Sequence, residues 1–255
     1  LQHGVSNASK EVDWFIRYTF NIQKHLLIDQ EFIFNKTQKY ILKDFMQRRI
    51  SQEPFQYILG TAPFYGRDFI VNKDVLIPRP ETEIIIDILL QKEKFDNALD
   101  VGTGSGNLAI ILKLENIANH ITGIDISVPA LNIANQNMHR FNIKDIHFIY
   151  HDFLNKDLSK KYDLIVSNPP YISHLDYKNL EPHIKNYEPA IALTDYSDGL
   201  IFYKRFAMIL KNILNPEGML LLEVGIESTQ NSIDSIFKKY HFQTIWHKDY
   251  NNNYR

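Results

Sequence analysis

The stretch "ALDVGTGSGNLAIIL", Ala98 to Leu112, reads as a buried strand, a glycine loop and an apolar helix in direct succession. Gly102, Gly104 and Gly106 remove the side chains that would hold a ligand off the backbone, and the helix start offers unpaired amides to an anionic group. A ligand is expected there. A dinucleotide fingerprint needs GxGxxG, but counting from Gly102 puts Asn107 where the third glycine belongs. The spacing is GxGxG. It argues against a nicotinamide cofactor and suits one without a pyrophosphate, such as S-adenosylmethionine, whose methionine carboxylate matches a helix terminus.

Downstream of this unit, helix-like and strand-like stretches alternate. Strands are predicted at Ala98 to Val101, Ile121 to Ile124, Ile146 to Ile149, Leu164 to Val166 and Met219 to Val224. Such alternation favours a parallel sheet covered by helices on both faces. Upstream, apolar residues from Glu11 to Gln52 fall at helical spacings, with Val12, Phe15, Ile16 and Thr19 early and Ile41 and Phe45 later. That half reads as a small helical unit. Between the two, "FYGRDFIVNKDVLIPRPETE" suggests a β-hairpin whose strands are Phe69 to Val71 and Val75 to Ile77, around Asn72, Lys73 and Asp74.

Asp125 closes the second strand, "ITGID", where a carboxylate can accept both hydroxyl protons of a ribose. After the third strand, Asp152 is a candidate acceptor for an exocyclic amine and Phe153 a flat apolar surface for a purine. A solvated aspartate and a core phenylalanine are the ordinary alternatives.

The fourth strand delivers "IVSNPPYI" to the same edge. Pro169 and Pro170 cannot continue the ladder and bring no N–H, so the main chain there presents carbonyl acceptors without competing donors. Asn168 Oδ1 and the Pro169 carbonyl could hold both hydrogens of an NH2 group and aim its lone pair at a methyl electrophile. Tyr171 could pack against the planar target.

The chain has 255 residues, a net charge of -2, no cysteine and 10 histidines. The small charge makes long DNA a disfavoured partner. Without cysteine there is neither a disulfide framework nor a thiolate metal site, and no histidine lies in HExxH, so no metal is expected. "LQHGVSNASK" at the start has neither a secretion core nor an initiator Met, so a trimmed or engineered N-terminus is expected. No apolar run reaches membrane-spanning length. A cytoplasmic monomer is the expectation. Arg48 and Arg49 are read as a solvated charged helix face.

Together these motifs resemble the HemK/PrmC-type release-factor glutamine methyltransferases. The likeness rests on "RRISQEPFQYILG", "FYGRDFIVNKDVLIPRPETE", "LDVGTGSGN", "GIDIS", "IVSNPPYI" and "NPEGMLLLEVG", of which the proline-rich "VLIPRPETE" is the most specific to that family. The resemblance implies a helical release-factor-binding domain (1–62), a β-hairpin linker (63–82) and a seven-stranded, Rossmann-like S-adenosylmethionine-dependent methyltransferase domain (83–255). It implies methylation of the side-chain amide nitrogen of the glutamine in the factor's GGQ loop, yielding S-adenosylhomocysteine. By position, the family's cofactor residues fall on Gly102, Thr103, Gly104, Ser105, Gly106, Asp125, Phe153 and Asn168, and the substrate glutamine on Asn168, Pro169, Pro170 and Tyr171. Phe153 stands where some relatives carry tryptophan. "KDYNNNYR" resembles a family Asp, Gly, Arg pattern with Asn252 in place of the glycine, and Asn tolerates the left-handed turn.

Four further residues have two readings each. Arg79 and Glu81 either line the cofactor entrance or fix the hairpin by an ion pair. Asp100 either receives the cofactor's ammonium or is a solvated strand end, and Glu223 ends a strand at the same edge, where it either faces the site or is likewise solvated. The competing activity is a nucleic-acid adenine-N6 amino-methyltransferase, because an exocyclic amine offers NPPY the same pair of hydrogens.

Overall fold

The computed structural model describes residues 7–23, 25, 33–225 and 229–255. The part of the N-terminal helical reading that falls on residues 24 and 26–32 lies outside them. Three helices open the described chain: α1 (Ala8–Phe20), α2 (Lys36–Ile50) and α3 (Phe55–Leu59). A capping box starts α2, with Asn35 and Gln38 each bonding the other's backbone N–H at 2.9 Å. Phe15 stacks on Phe45 with ring centroids 4.1 Å apart, and Phe55 meets Phe45 edge-on. Arg49 is not solvated as expected: its Nε lies 2.7 Å from Glu11 and ties α2 to α1, while Arg48 pairs with Glu53 at 2.5 Å. Sequence periodicity shows only that these arginines avoid the apolar stripe, whereas the acidic partner of Arg49 comes from α1.

The hairpin lies one strand earlier than predicted. Strands β1 (Thr61–Phe64) and β2 (Arg67–Ile70) pair antiparallel across Tyr65 and Gly66, whose φ values of 48° and 70° are those of a primed turn. The segment from Asn72 to Asp74 is an Asx turn, with the Asp74 N–H donating to Asn72 Oδ1 at 2.9 Å. Val75 and Ile77 are buried but belong to no strand; they pack on Tyr57, Ala130 and Ile133. Their apolar character reflects burial under a loop rather than a ladder.

A single 3-10 turn (Pro80–Thr82) leads into α4 (Glu83–Leu89), and the sheet begins with β3 (Phe95–Val101). There follow α5 (Asn107–Leu114), β4 (Ala118–Asp125), α6 (Val128–Arg140), β5 (Ile146–Tyr150) and β6 (Tyr162–Ser167). Short helices α7 (His174–Lys178), α8 (Pro182–Tyr187) and α9 (Ala190–Leu193) precede α10 (Ile201–Ile213), β7 (Leu214–Leu222) and α11 (Gln230–Lys239). The five strands pair in parallel in the order β5-β4-β3-β6-β7. This is the Rossmann-like arrangement expected, but with five strands among the described residues rather than seven. Beyond α11 the chain folds on itself, bridging Lys248 to Tyr254 around Asp249, instead of pairing with β7.

The period-2 alternation of β3 divides the core. Ala98 packs on the face covered by α5, while Leu99 and Val101 pack on the opposite face against Tyr203, Phe206 and Leu210 of α10. Asp100, between Leu99 and Val101, therefore points under α5. That placement matters below.

Candidate active site

The sheet order reverses beside β3, which feeds β4 on one side and adjoins β6 on the other. Loops leaving the carboxyl ends of β3 and β6 diverge there and open a crevice. The structure has a cavity of about 250 Å³ at this point, lined by Gly102, Gly104, Asp125, Asp152, Phe153, Asn168, Pro169 and Pro170 among others. A smaller pocket of about 40 Å³ shares Gly102, Gly104 and Asn168 and reaches Asp100, Thr103 and Ser105. Of the cofactor and substrate residues assigned by position, Gly106 and Tyr171 line neither, and nor do Glu81 and Glu223. The two pockets meet across the glycine loop.

Gly102 and Gly106 carry different burdens. Gly102 has φ 71° and nothing within 4 Å of where a Cβ would stand, so its missing side chain leaves open space beside the backbone. Gly106 caps α5 at φ 79°, and a Cβ there would meet Phe148 Cζ at 2.9 Å and Ala134 Cβ at 3.1 Å. Its absence of a side chain serves helix–sheet packing.

Asp125 braces this loop. Its Oδ2 accepts from the Gly104 N–H at 2.9 Å and its Oδ1 from the Ser127 N–H at 2.8 Å, leaving lone pairs on both oxygens at the cavity wall. Burial raises its pKa, opposed by these amides. Asp152 is held by Asn155, whose side chain donates at 2.9 Å and lowers the carboxyl's pKa. Phe153 is both core and lining: its ring tilts against Phe206 at 4.5 Å and also borders the cavity.

Asp100 is not the solvated strand end that sequence allowed. It is 1% exposed, with Oδ2 accepting from Thr103 Oγ1 at 2.7 Å and from the Ala109 N–H at 3.2 Å. Its Oδ1 is buried without a partner among the described residues. Burial pushes its pKa up to about 7, opposed by Thr103 and Ala109. One amide of the α5 N-terminus is thus already taken by Asp100. An orphaned carboxylate oxygen at the pocket calls for a cation or donor from outside the chain. Together with the open space over Gly102, it fits an ammonium-bearing nucleoside cofactor such as S-adenosylmethionine.

At the end of β6, Asn168 Nδ2 donates to Thr82 Oγ1 at 3.0 Å, and Thr82 Oγ1 donates to Glu223 Oε2 at 2.5 Å. Asn168 Oδ1 accepts no hydrogen bond from any described residue. Tyr171 turns its hydroxyl to Glu223 Oε1, at 3.3 Å, which takes the phenol out of the cavity lining. Glu223 is 2% exposed; burial raises its pKa, while Thr82 and Arg255 oppose the shift. Its position follows from register: Ser167 pairs with Leu222, and the Glu223 N–H donates to the Ser167 carbonyl at 2.9 Å. Arg79 pairs with Glu188 rather than with Glu81. "PRPET" marked Arg79 and Glu81 for attention, but nothing local pointed to Thr82, whose partner lies 141 positions away.

The C-terminal segment forms a turn around Asp249. Asn252 is left-handed at φ 67°, Asp249 accepts from the Asn251 and Asn253 N–H groups at 2.9 Å each, and Arg255 Nη1 donates to the Val224 carbonyl at 3.2 Å. The turn backs the strand end that carries Glu223. Among the described residues, no three His, Cys, Asp or Glu side chains gather as a metal site, and no helix is long and apolar enough to cross a membrane.

Residues 1–60 match the family described as PrmC N-terminal domain, and residues 80–184 match Methyltransferase small domain. A release factor glutamine methyltransferase from Fusobacterium nucleatum is 38% identical over 90% of this chain and 72% of its own length. A bifunctional methyltransferase from Rickettsia bellii is 36% identical over 93% of this chain. The chain spans only 48% of that protein. Among solved structures, a methyltransferase from Pyrococcus furiosus superposes with a TM-score of 0.54 at 18% identity, covering 84% of this chain and 92% of its own. That likeness concerns the fold.

Proposed function

From the premise that this chain belongs to the release factor glutamine methyltransferase family, we propose that it methylates the side-chain amide nitrogen of the glutamine in the GGQ loop of a peptide chain release factor. The observation that carries this reading is the amide of Asn168, whose Nδ2 is engaged by Thr82 while Oδ1 has no partner among the described residues. Oδ1 is an acceptor for one hydrogen of a carboxamide NH2, and the Pro169 carbonyl for the other. A planar amide nitrogen is a poor nucleophile because its lone pair is delocalised. Two fixed acceptors hold the NH2 group so that this lone pair points into the cavity, and they favour the charge that develops on its hydrogens as the N–C bond forms.

S-adenosylmethionine, when bound, would supply an electrophilic methyl carbon on a positively charged sulfur; its S–C bond would break to leave S-adenosylhomocysteine, and the amide nitrogen would give up one of its two hydrogens as a proton to solvent. In this reading Asp100 Oδ1 receives its ammonium, Gly102 and Gly104 let its methionyl part approach the backbone, with Thr103 and Ser105 shaping that pocket. Asp125 accepts its ribose hydroxyls, and Asp152 and Phe153 take its purine. Pro169 and Pro170 deny the site a competing N–H donor. The helical unit 1–62 engages the factor, and residues 63–82 connect it to the catalytic domain.

The test is incubation of the protein with labelled S-adenosylmethionine and a release factor, followed by mass spectrometry of the factor. Label is expected on the GGQ glutamine and is lost when that glutamine is replaced. Label on nucleic acid with none on the factor overturns the reading in favour of an adenine amino-methyltransferase.

A further inference from the structure

The hydrogen bonds behind Asn168 have a direction. Glu223 sits 2% exposed at the end of β7, with Thr82 Oγ1 donating to Oε2 at 2.5 Å and Tyr171 Oη to Oε1 at 3.3 Å. A hydroxyl owns one proton, and Thr82 spends it on that carboxylate. The threonine oxygen therefore has only lone pairs left to offer Asn168. It must meet the NH2 end of the amide, and it does, at 3.0 Å.

A primary carboxamide is nearly isosteric about its axis, so shape alone does not decide which end faces a substrate. Here polarity decides it. With the carboxylate at one end of the chain of bonds, every donor points toward Glu223, and the far end must expose an acceptor. A reversed chain would turn the NH2 of Asn168 toward the substrate's NH2, setting donor against donor. The protein keeps a carboxyl group buried there, at 2% exposure, where an apolar side chain of similar volume would carry no desolvation cost. The backbone bond of the Glu223 N–H to Ser167 needs no carboxylate.

We propose that Glu223 and Thr82 are positioning residues that fix the polarity of the Asn168 amide, so that Oδ1 is presented to the substrate carboxamide. The relay rests on the reading of Asn168 as the acceptor for the glutamine NH2. Neither residue touches substrate; each acts through the orientation of Asn168. Thr82 reaches the site from the 3-10 turn before α4 and Glu223 from the last strand, so three separate parts of the chain set one rotamer.

The experiment compares Thr82→Val, Thr82→Ser and Glu223→Gln with the wild-type full-length chain, measuring kcat and KM for a release factor and the Kd for S-adenosylmethionine. Thr82→Val keeps the volume and removes the hydroxyl. It is expected to lower kcat roughly 10- to 100-fold through misplacement of the reacting group, with a much smaller change in cofactor affinity, because Thr82 also borders the smaller pocket. Thr82→Ser restores the hydroxyl and most of kcat. Glu223→Gln keeps the shape but gives the relay a donor at its root, so the chain of bonds can reverse; a kcat loss like that of Thr82→Val is expected. Should Thr82→Val fail to fold, Glu223→Gln and Thr82→Ser carry the comparison.

Two results overturn the relay alone, given wild-type methylation of the factor. One is normal kcat in Glu223→Gln and Thr82→Val. The other is a loss confined to cofactor binding or thermal stability. A wild-type protein that binds the cofactor but leaves the factor's glutamine unmethylated removes the underlying reading and the relay with it.

Discussion

Arg79 and Glu188 are joined by an ion pair of 2.5 Å that spans 109 positions of sequence and ties the segment before α4 to the segment that follows the NPPY turn. The Glu188 side chain is 2% exposed, and its second oxygen accepts from the Ile77 N–H at 3.2 Å. The carboxylate thus secures the loop whose Val75 and Leu76 wall the larger cavity.

Glu188→Ala leaves the Arg79 guanidinium and a buried backbone N–H unpaired, which costs about 1 to 3 kcal/mol by the general penalty for such groups. Chemical denaturation is the check, with a lower midpoint expected. Because the loop borders the cavity, cofactor affinity should fall in the same variant. An unchanged midpoint would show that water replaces the carboxylate at no cost.

Asn168→Ala removes the acceptor while sparing the glycine loop and Asp125. Losing one group aimed at the developing charge lowers kcat by about 10²- to 10³-fold in comparable sites. Calorimetry with S-adenosylmethionine should show binding within a few-fold of wild type. Full turnover in this variant would mean that the Pro169 carbonyl alone orients the substrate.

What was legible in the sequence follows the range of the interactions. Glycine spacing, strand alternation and the double proline are local, and they located all five strands and the edge where the cavity opens. The primed turn at Tyr65 and Gly66 lacks the usual Asn-Gly signal, so the apolar residues at Val75 and Ile77 drew the hairpin one strand too late. Whether a strand-end carboxylate is solvated or buried depends on what the chain folds over it: α5 for Asp100, the Pro80–Thr82 turn for Glu223. Thr82 was invisible for the same reason, since a hydroxyl's role depends on which distant acceptor takes its proton.

Asp100 makes stability depend on pH in a calculable direction. Its folded-state pKa of about 7 exceeds the ordinary carboxyl value of about 3.9, so the native state binds more protons between those limits. Its favourable contribution is complete below about pH 4 and is lost as pH rises through about 7. Asp100→Asn keeps an acceptor for Thr103 and Ala109 without the charge. Its melting temperature relative to wild type should therefore increase across that window. Cofactor affinity should move the other way, rising with pH in the wild type as the carboxylate forms and staying flat in the Asn variant. Parallel melting curves at pH 5 and 8 would contradict the first expectation, and a flat wild-type affinity the second.

Two glycines of one motif should separate under the same substitution. Both Gly102 and Gly106 are left-handed, so alanine at either costs about 1 to 2 kcal/mol of backbone strain. At Gly106 the new Cβ also stands 3.1 Å from Ala134 Cβ and 3.3 Å from Ala134 Cα, and a backbone atom of α6 cannot swing aside as a long side chain can. Overpacking of this kind adds about 1 to 3 kcal/mol, so Gly106→Ala should show the larger fall in denaturation midpoint. At Gly102 the methyl enters open space beside the cavity, where it meets no protein atom within 4 Å. Its cost beyond strain should appear only when the cofactor is present, as weakened binding measured by calorimetry. Equal midpoints for the two variants, with equal cofactor affinity, would show that the loop rearranges as a unit and that neither glycine has the separate burden assigned to it.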